Sequence, residues 1–262
     1  MNAPLPLTPL GSTGFQVSAL ALGTVKFGRT AGLKYPQNFA LPSDAELQEL
    51  LHAARSLGIN LLDTAPAYGS SEARLGQLLG QQRKDWLLCS KVGEQFSEQG
   101  SSHDFRAAAV APSIEASLRR LNTDYLDIAL IHSDGNDLRI LNQARTLDAL
   151  QDLKRAGLIR AVGMSHKTLA GGRRALELGA DVLMTELSSA HRDMAPLIAE
   201  CAAQNVGVLI KKALGSGHAG AESLAYVAGC EGVSSIVVGT INKAHLQENA
   251  RIVGAALRAP GR

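Results

Sequence analysis

Eight short apolar runs, each followed by a stretch in which Leu and Ala return at three- and four-residue steps, divide this chain from residue 17 almost to its end. The runs are VSALALGT (17–24), INLLDTA (59–65), WLLCSK (86–91), YLDIALIHS (125–133), IRAVGMS (159–165), DVLMTEL (181–187), GVLIKKAL (207–214) and SSIVVGT (234–240). Runs this brief and this continuously apolar suit strands covered on both faces. The segments between them read as amphipathic helices. Several close on Gly or Asn, and the one that follows Ser43 carries Glu46 at the capping-box position. Parallel strands joined by helices have two common solutions, a closed (β/α)8 barrel and an open doubly wound sheet. The open sheet calls for GxGxxG after its first strand, whereas this chain has GTVKFGRTAG there, glycine-rich but differently spaced. Eight units without a Ser/Gly/Pro-rich linker predict an α/β chain, a (β/α)8 TIM barrel in which residues 1–262 form a single domain. The turn-bearing segment LPLTPLGSTGFQ is expected to form an N-terminal hairpin closing the base.

Composition mostly excludes. The 26 basic and 24 acidic residues leave a formal charge of +2 with no long like-charge run, so neither nucleic acid nor an anionic membrane surface is an expected partner. A small molecule fits better. Cys89, Cys201 and Cys230 are far apart and in no metal-ligand spacing, which argues against a disulfide framework or structural zinc and for a reducing compartment. No HExxH or comparable histidine spacing is present, so no metal is expected. The N-terminal stretch lacks a basic region followed by an apolar one, and no run is long enough to span a bilayer; a cytoplasmic location is expected.

In such a barrel the chemistry sits at the C-terminal ends of the strands. Asp63 ends the second run with Tyr68 just beyond it, Lys91 ends the third, and His132 ends the fourth. Taken singly, an Asp is a turn former, a Tyr a packed ring and a Lys a solvated tip. Together, an acid, a base and an ammonium closing three consecutive apolar strands beside a phenol are hard to explain by packing. The set suits acid catalysis by Tyr68. An ammonium about 4 Å away contributes on the order of 4 kcal/mol at an effective dielectric near 20, enough to lower the phenol's pKa by about two to three. Asp63 would keep Lys91 charged, and His132 would direct the substrate oxygen by a hydrogen bond.

The segments GINLLDTAPAYGSSEARLGQLL, SKVG, SIEASLRRLNTDYLDIALIH, IRAVGMS and VVGTINKAHLQENA together resemble, in order, those of the aldo-keto reductase superfamily. The resemblance implies a catalytic tetrad of Asp63, Tyr68, Lys91 and His132, with Tyr68 as general acid and a nicotinamide cofactor, NADP before NAD, delivering hydride to an aldehyde or ketone. It also places Ser165–His166 where the family has a Ser–Asn pair for the nicotinamide carboxamide, Met184 where it has a Gln, with Glu186 keeping the following acid, and Lys211 where it has a stacking aromatic.

A barrel commonly binds phosphate at the loops after its last two strands. The cofactor-binding candidates there are Leu214, Gly215, Ser216 and Gly217, then Gly239, Thr240, Lys243, Glu248 and Asn249. Lys243 is the full charge near the expected 2′-phosphate. The altered nicotinamide contacts leave an alternative function open, a cofactor-binding sensor or regulatory subunit without turnover. The strand–helix loops and the C-terminal tail read as short, which predicts an open site, with an oligomer a possible means of closing it.

Overall fold

The structure, a computed structural model, describes residues 4–33 and 39–259; of Ser216 it describes the backbone only. Strands β1 (Leu7–Pro9) and β2 (Gln16–Ser18) form an antiparallel hairpin. There follow β3 (Leu20–Gly23), α1 (Val25–Gly28), α2 (Asp44–Ser56), β4 (Leu61–Asp63), α3 (Ser71–Leu79), β5 (Leu87–Val92), β6 (Glu94–Ser97), β7 (Gly100–His103) and α4 (Ala107–Leu121). The remainder is β8 (Leu126–His132), α5 (Asp137–Asn142), α6 (Thr146–Arg155), β9 (Ile159–Ser165), α7 (Leu169–Glu177), β10 (Val182–Glu186), α8 (Ala195–Ala203), β11 (Gly207–Lys211), α9 (Ala221–Gly229), β12 (Ser235–Gly239) and α10 (Lys243–Arg258). β3, β4, β5, β8, β9, β10, β11 and β12 close into a parallel barrel in that order, and each falls within one of the eight apolar runs except β5, which runs one residue past its run to Val92.

Two hydrophobic layers hold it. The inner one is made by every second strand residue, among them Ala21, Leu61, Cys89, Ile128, Leu130, Ala161, Val182, Met184 and Leu209; the alternate residues face the helices. The N-terminal hairpin plugs the base as expected: Leu10 and Val17 join the inner layer, and a Cβ on Gly207 would stand 2.6 Å from the Leu10 side chain. Burying each such Leu stabilises the fold by about 1.5–3 kcal/mol. The capping box on α2 is also present, with Glu46 N donating to Ser43 Oγ and Ser43 N donating to Glu46 Oε2.

One expectation is overturned. The connection after β5 is long and folded: β6 and β7 form a second hairpin with Glu94 opposite His103, packed over the Pro66–Tyr68 turn. Its sequence, EQFSEQGSSH, carries a single large apolar residue, Phe96, so no apolar alternation announced it. Residues 260–262, the end of the tail read as short, lie outside the described residues.

Candidate active site

The period of a strand builds the site. Two residues above the inner layer, the next inward positions are Asp63 after Leu61, Lys91 after Cys89, His132 after Leu130, Glu186 after Met184 and Lys211 after Leu209, with Ser165 at the equivalent place on β9. Six polar residues therefore crown an otherwise apolar barrel at its C-terminal rim. Met184, expected near the nicotinamide, lies one layer down in the core.

Lys91 is almost fully buried; its Nζ donates to Asp63 Oδ1 at 2.6 Å and to the Thr64 carbonyl at 2.8 Å. Burial lowers its pKa, yet the Asp63 carboxylate, together with Tyr68 and Cys89, more than offsets this and holds the ammonium above its ordinary pKa. Tyr68 lies beside this pair, with Lys91 Nζ 4.8 Å from its ring centroid. His132 meets Tyr68 edge to face at 6.1 Å between ring centroids. The structure thus brings all four tetrad candidates together.

It corrects the electrostatic expectation, however. Burial pushes the Tyr68 phenol above its ordinary range, and the attraction of Lys91 only partly offsets this because Asp63, the neutraliser of Lys91, also faces the phenol. In the free chain Tyr68 is a phenol holding its proton.

Glycine makes the Tyr68 turn possible. Gly69 adopts φ +61, and a Cβ there would stand 2.1 Å from the carbonyl oxygen of Gly28. Arg29, next along, donates to the Ala67 carbonyl at 3.0 Å and lies 3.4 Å over the Phe96 ring, clamping the β6–β7 hairpin to the turn. Behind the barrel wall, buried Glu72 accepts from Ser90 and Arg120, so this acid of the same motif serves packing. A cavity of about 620 Å³ opens beside the tetrad rather than over it, between the hairpin and α4.

The nicotinamide candidates divide. Lys211 Nζ donates to Ser165 Oγ at 3.0 Å and to the His166 carbonyl at 2.8 Å, both neutral acceptors. Burial lowers its pKa to about 8. Lys212, at φ +57, turns away and pairs with Glu186. His166 departs from expectation: as the outward residue after Ser165 it packs against Gly172 of α7, 1% exposed, its Nδ1 3.0 Å from the Thr168 carbonyl. Strand alternation sends it into the helix layer, and burial lowers its pKa to about 4.

Gly215 and Gly217, both at positive φ, form a tight turn after β11, with Leu214 packed on the outer core. Gly239 ends β12, and Thr240 Oγ1 accepts from Asn242 N, whose side chain caps α10. Lys243 is exposed at the first position of α10. Glu248 lies further along that helix, paired with Arg251, and Asn249 beside it is half-buried.

Sequence reasoning missed Glu94. It is the first residue of β6, its Oε2 is 2.8 Å from His132 Nδ1, and its Oε1 accepts from Ser101 Oγ at 2.7 Å. Burial would raise its pKa, but these two contacts hold it at about 2.

The Aldo/keto reductase family model matches residues 19–223. The chain belongs to that family. A crystal structure of a Pseudomonas aeruginosa protein assigned to the aldo-keto reductases is 49% identical, with a TM-score of 0.89 over 96% of this chain and 95% of that one. An aldo-keto reductase from Bacillus halodurans, in its holo form, shares the fold at 22% identity and a TM-score of 0.81, over 98% of this chain and 92% of that one. Among curated relatives, L-galactose dehydrogenase of Arabidopsis thaliana is 35% identical over 62% of this chain and 48% of its own length. The NADH-specific methylglyoxal reductase of Escherichia coli is 30% identical over 71% and 60%. The chain thus spans about half the length of the curated relatives it matches, up to 60% in that last case. Among the described residues, no helix is long and apolar enough to cross a membrane.

Proposed function

We propose that the chain is a nicotinamide-dependent oxidoreductase that reduces an aldehyde or ketone to an alcohol, or runs the reverse. One observation carries the reading: a buried ammonium–carboxylate pair lies against a phenol, with an imidazole across it, at the open end of the barrel. The residues also fit a dinucleotide. Lys211 is a half-buried cation whose hydrogen bonds go to neutral oxygens, with the Glu186 carboxylate acting on its charge without contacting it, a place where an anionic ligand would supply a direct counter-charge. Ser165, Lys211, the Gly215–Gly217 turn, Gly239, Thr240 and Lys243 would hold the cofactor, and exposed Lys243 favours NADP through its 2′-phosphate. When bound, the cofactor supplies the hydride.

The chain's own residues supply the rest. Tyr68 holds a proton at Oη for the carbonyl oxygen. Lys91 stabilises the phenolate that remains, and Asp63 keeps that ammonium charged. His132 borders the substrate oxygen's place. The β6–β7 hairpin shields one side of Tyr68 from water.

The test is Tyr68→Phe, assayed by NADPH and NADH oxidation with a panel of aldehydes and ketones and by cofactor fluorescence titration. We expect retained cofactor binding and a loss of turnover of about 10²–10⁴-fold. The presence of Lys211, where the resemblance implies an aromatic stacker, favours the second reading, a cofactor-binding sensor. That reading predicts binding with no turnover for Tyr68→Phe to remove.

A further inference from the structure

Glu94 and His132 meet in a way that fixes more than distance. Oε2 of Glu94 is 2.8 Å from Nδ1 of His132, a close charge contact off the line of an ideal hydrogen bond, and the buried Nδ1 has no well-aligned hydrogen-bond partner among the described residues. Glu94 is itself held from behind by Ser101 Oγ, and the strand that carries it is pinned to the Tyr68 turn through Phe96 and Arg29. A carboxylate and a bare imidazole lone pair are both electron-rich, so so close an approach requires a proton on Nδ1. The remaining nitrogen, Nε2, is the one left for a ligand. In neutral imidazole only one nitrogen carries hydrogen.

We infer that Glu94 is a positioning residue that locks His132 in the Nδ1–H tautomer, so that Nε2 offers a lone pair from the neutral ring and a hydrogen bond only from the imidazolium. The inference rests on the reading of His132 as a substrate-facing residue. It changes what His132 can do. A carbonyl oxygen needs a donor, so reduction draws on the charged ring, whereas an alcohol hydroxyl donates to the neutral one. Turnover in the reducing direction therefore falls as pH rises through the titration of His132, and turnover in the oxidising direction rises.

The groups facing that ring set where this happens. Burial lowers the pKa of His132, Glu94 on β6 raises it, and Lys91 on β5 and Lys211 on β11 lower it. Tyr68 meets the ring edge to face, with Asp63 behind Lys91. Glu94 is thus the anion nearest the imidazole, at the 2.8 Å contact described above.

Long-range ¹H–¹⁵N NMR of the cofactor-free protein reads the tautomer directly and needs no substrate. We expect a protonated Nδ1 and a pyridine-type Nε2 for His132, identified by its loss in His132→Gln. In Glu94→Gln the His132 pKa should fall by about one to three pH units, since an adjacent anion stabilises the charged ring. Glu94→Asp should restore part of that shift. A His132 that is protonated on Nε2 in the unmodified protein overturns the inference, as does a Glu94→Gln variant with an unmoved His132 pKa. If the tautomer is as expected but no carbonyl compound is turned over, the reductase reading fails and the role of Glu94 in setting the ring's proton stands.

Discussion

Asp63→Asn tests the centre of the site through stability, without a substrate. Asp63 and Lys91 have side chains 5% and 1% exposed and meet at 2.6 Å. At an effective dielectric near 20 that contact is worth about 6 kcal/mol of attraction, set against the cost of burying both charges. Asn keeps the shape and one acceptor oxygen but removes the charge. Lys91 is then left buried with neutral partners, the Asn oxygen and the Thr64 carbonyl. Breaking a buried pair from one side costs about 3–5 kcal/mol. At roughly 2 °C per kcal/mol for a chain of this size, calorimetric melting should fall by about 6–10 °C. The double variant Asp63→Asn/Lys91→Met removes the stranded ammonium and should recover at least half of that loss. The sign of the pH dependence follows from Lys91, whose pKa is raised in the folded chain. In the parent its contribution is fully present below the unfolded lysine value near 10.4 and is lost as pH rises through the higher folded value. In the single variant burial is no longer offset by Asp63, Lys91 sheds its proton more readily, and the deficit is largest at about pH 6 and shrinks as pH rises toward the unfolded value. A single variant that melts within 2 °C of the parent, or a double no more stable than the single, would refute the reasoning.

Lys211 loses its charge as pH rises through about 8, so affinity for the anionic NADPH should weaken several-fold between pH 7 and 9. Fluorescence titration of Lys211→Met should show weaker binding at pH 7 and a flat profile. Gly69→Ala forces a Cβ against the Gly28 carbonyl at φ +61, costing about 1–3 kcal/mol for the backbone alone. Because the same turn carries Tyr68, its turnover should fall further than its melting temperature implies, measured as kcat beside a thermal melt.

The barrel was legible because strand and helix periods are local. Leu61-Leu62, Leu88-Cys89 and Ile128–Ile131 are buried in the strands their apolar runs predict, and Ser43 caps the helix its spacing predicts. The tetrad was legible for a related reason: Asp63, Lys91 and His132 are costly residues at the ends of cheap strands. His166 was misplaced because the resemblance supplied its role, while one step of alternation turns its ring outward into the helix layer. Glu94 was invisible because the hairpin that carries it has only Phe96 as a large apolar residue and so no alternation, and its partner His132 is on another strand.

What the residues alone determined, then, is the order of strands and the list of groups at their ends, since both follow from patterns a few residues long. The folded molecule decided the states of those groups. Tyr68 is raised rather than lowered, Lys211 is lowered and Glu94 stays ionised. These depend on burial and on charges brought from distant strands, and a field summed in three dimensions has no local signature in the chain.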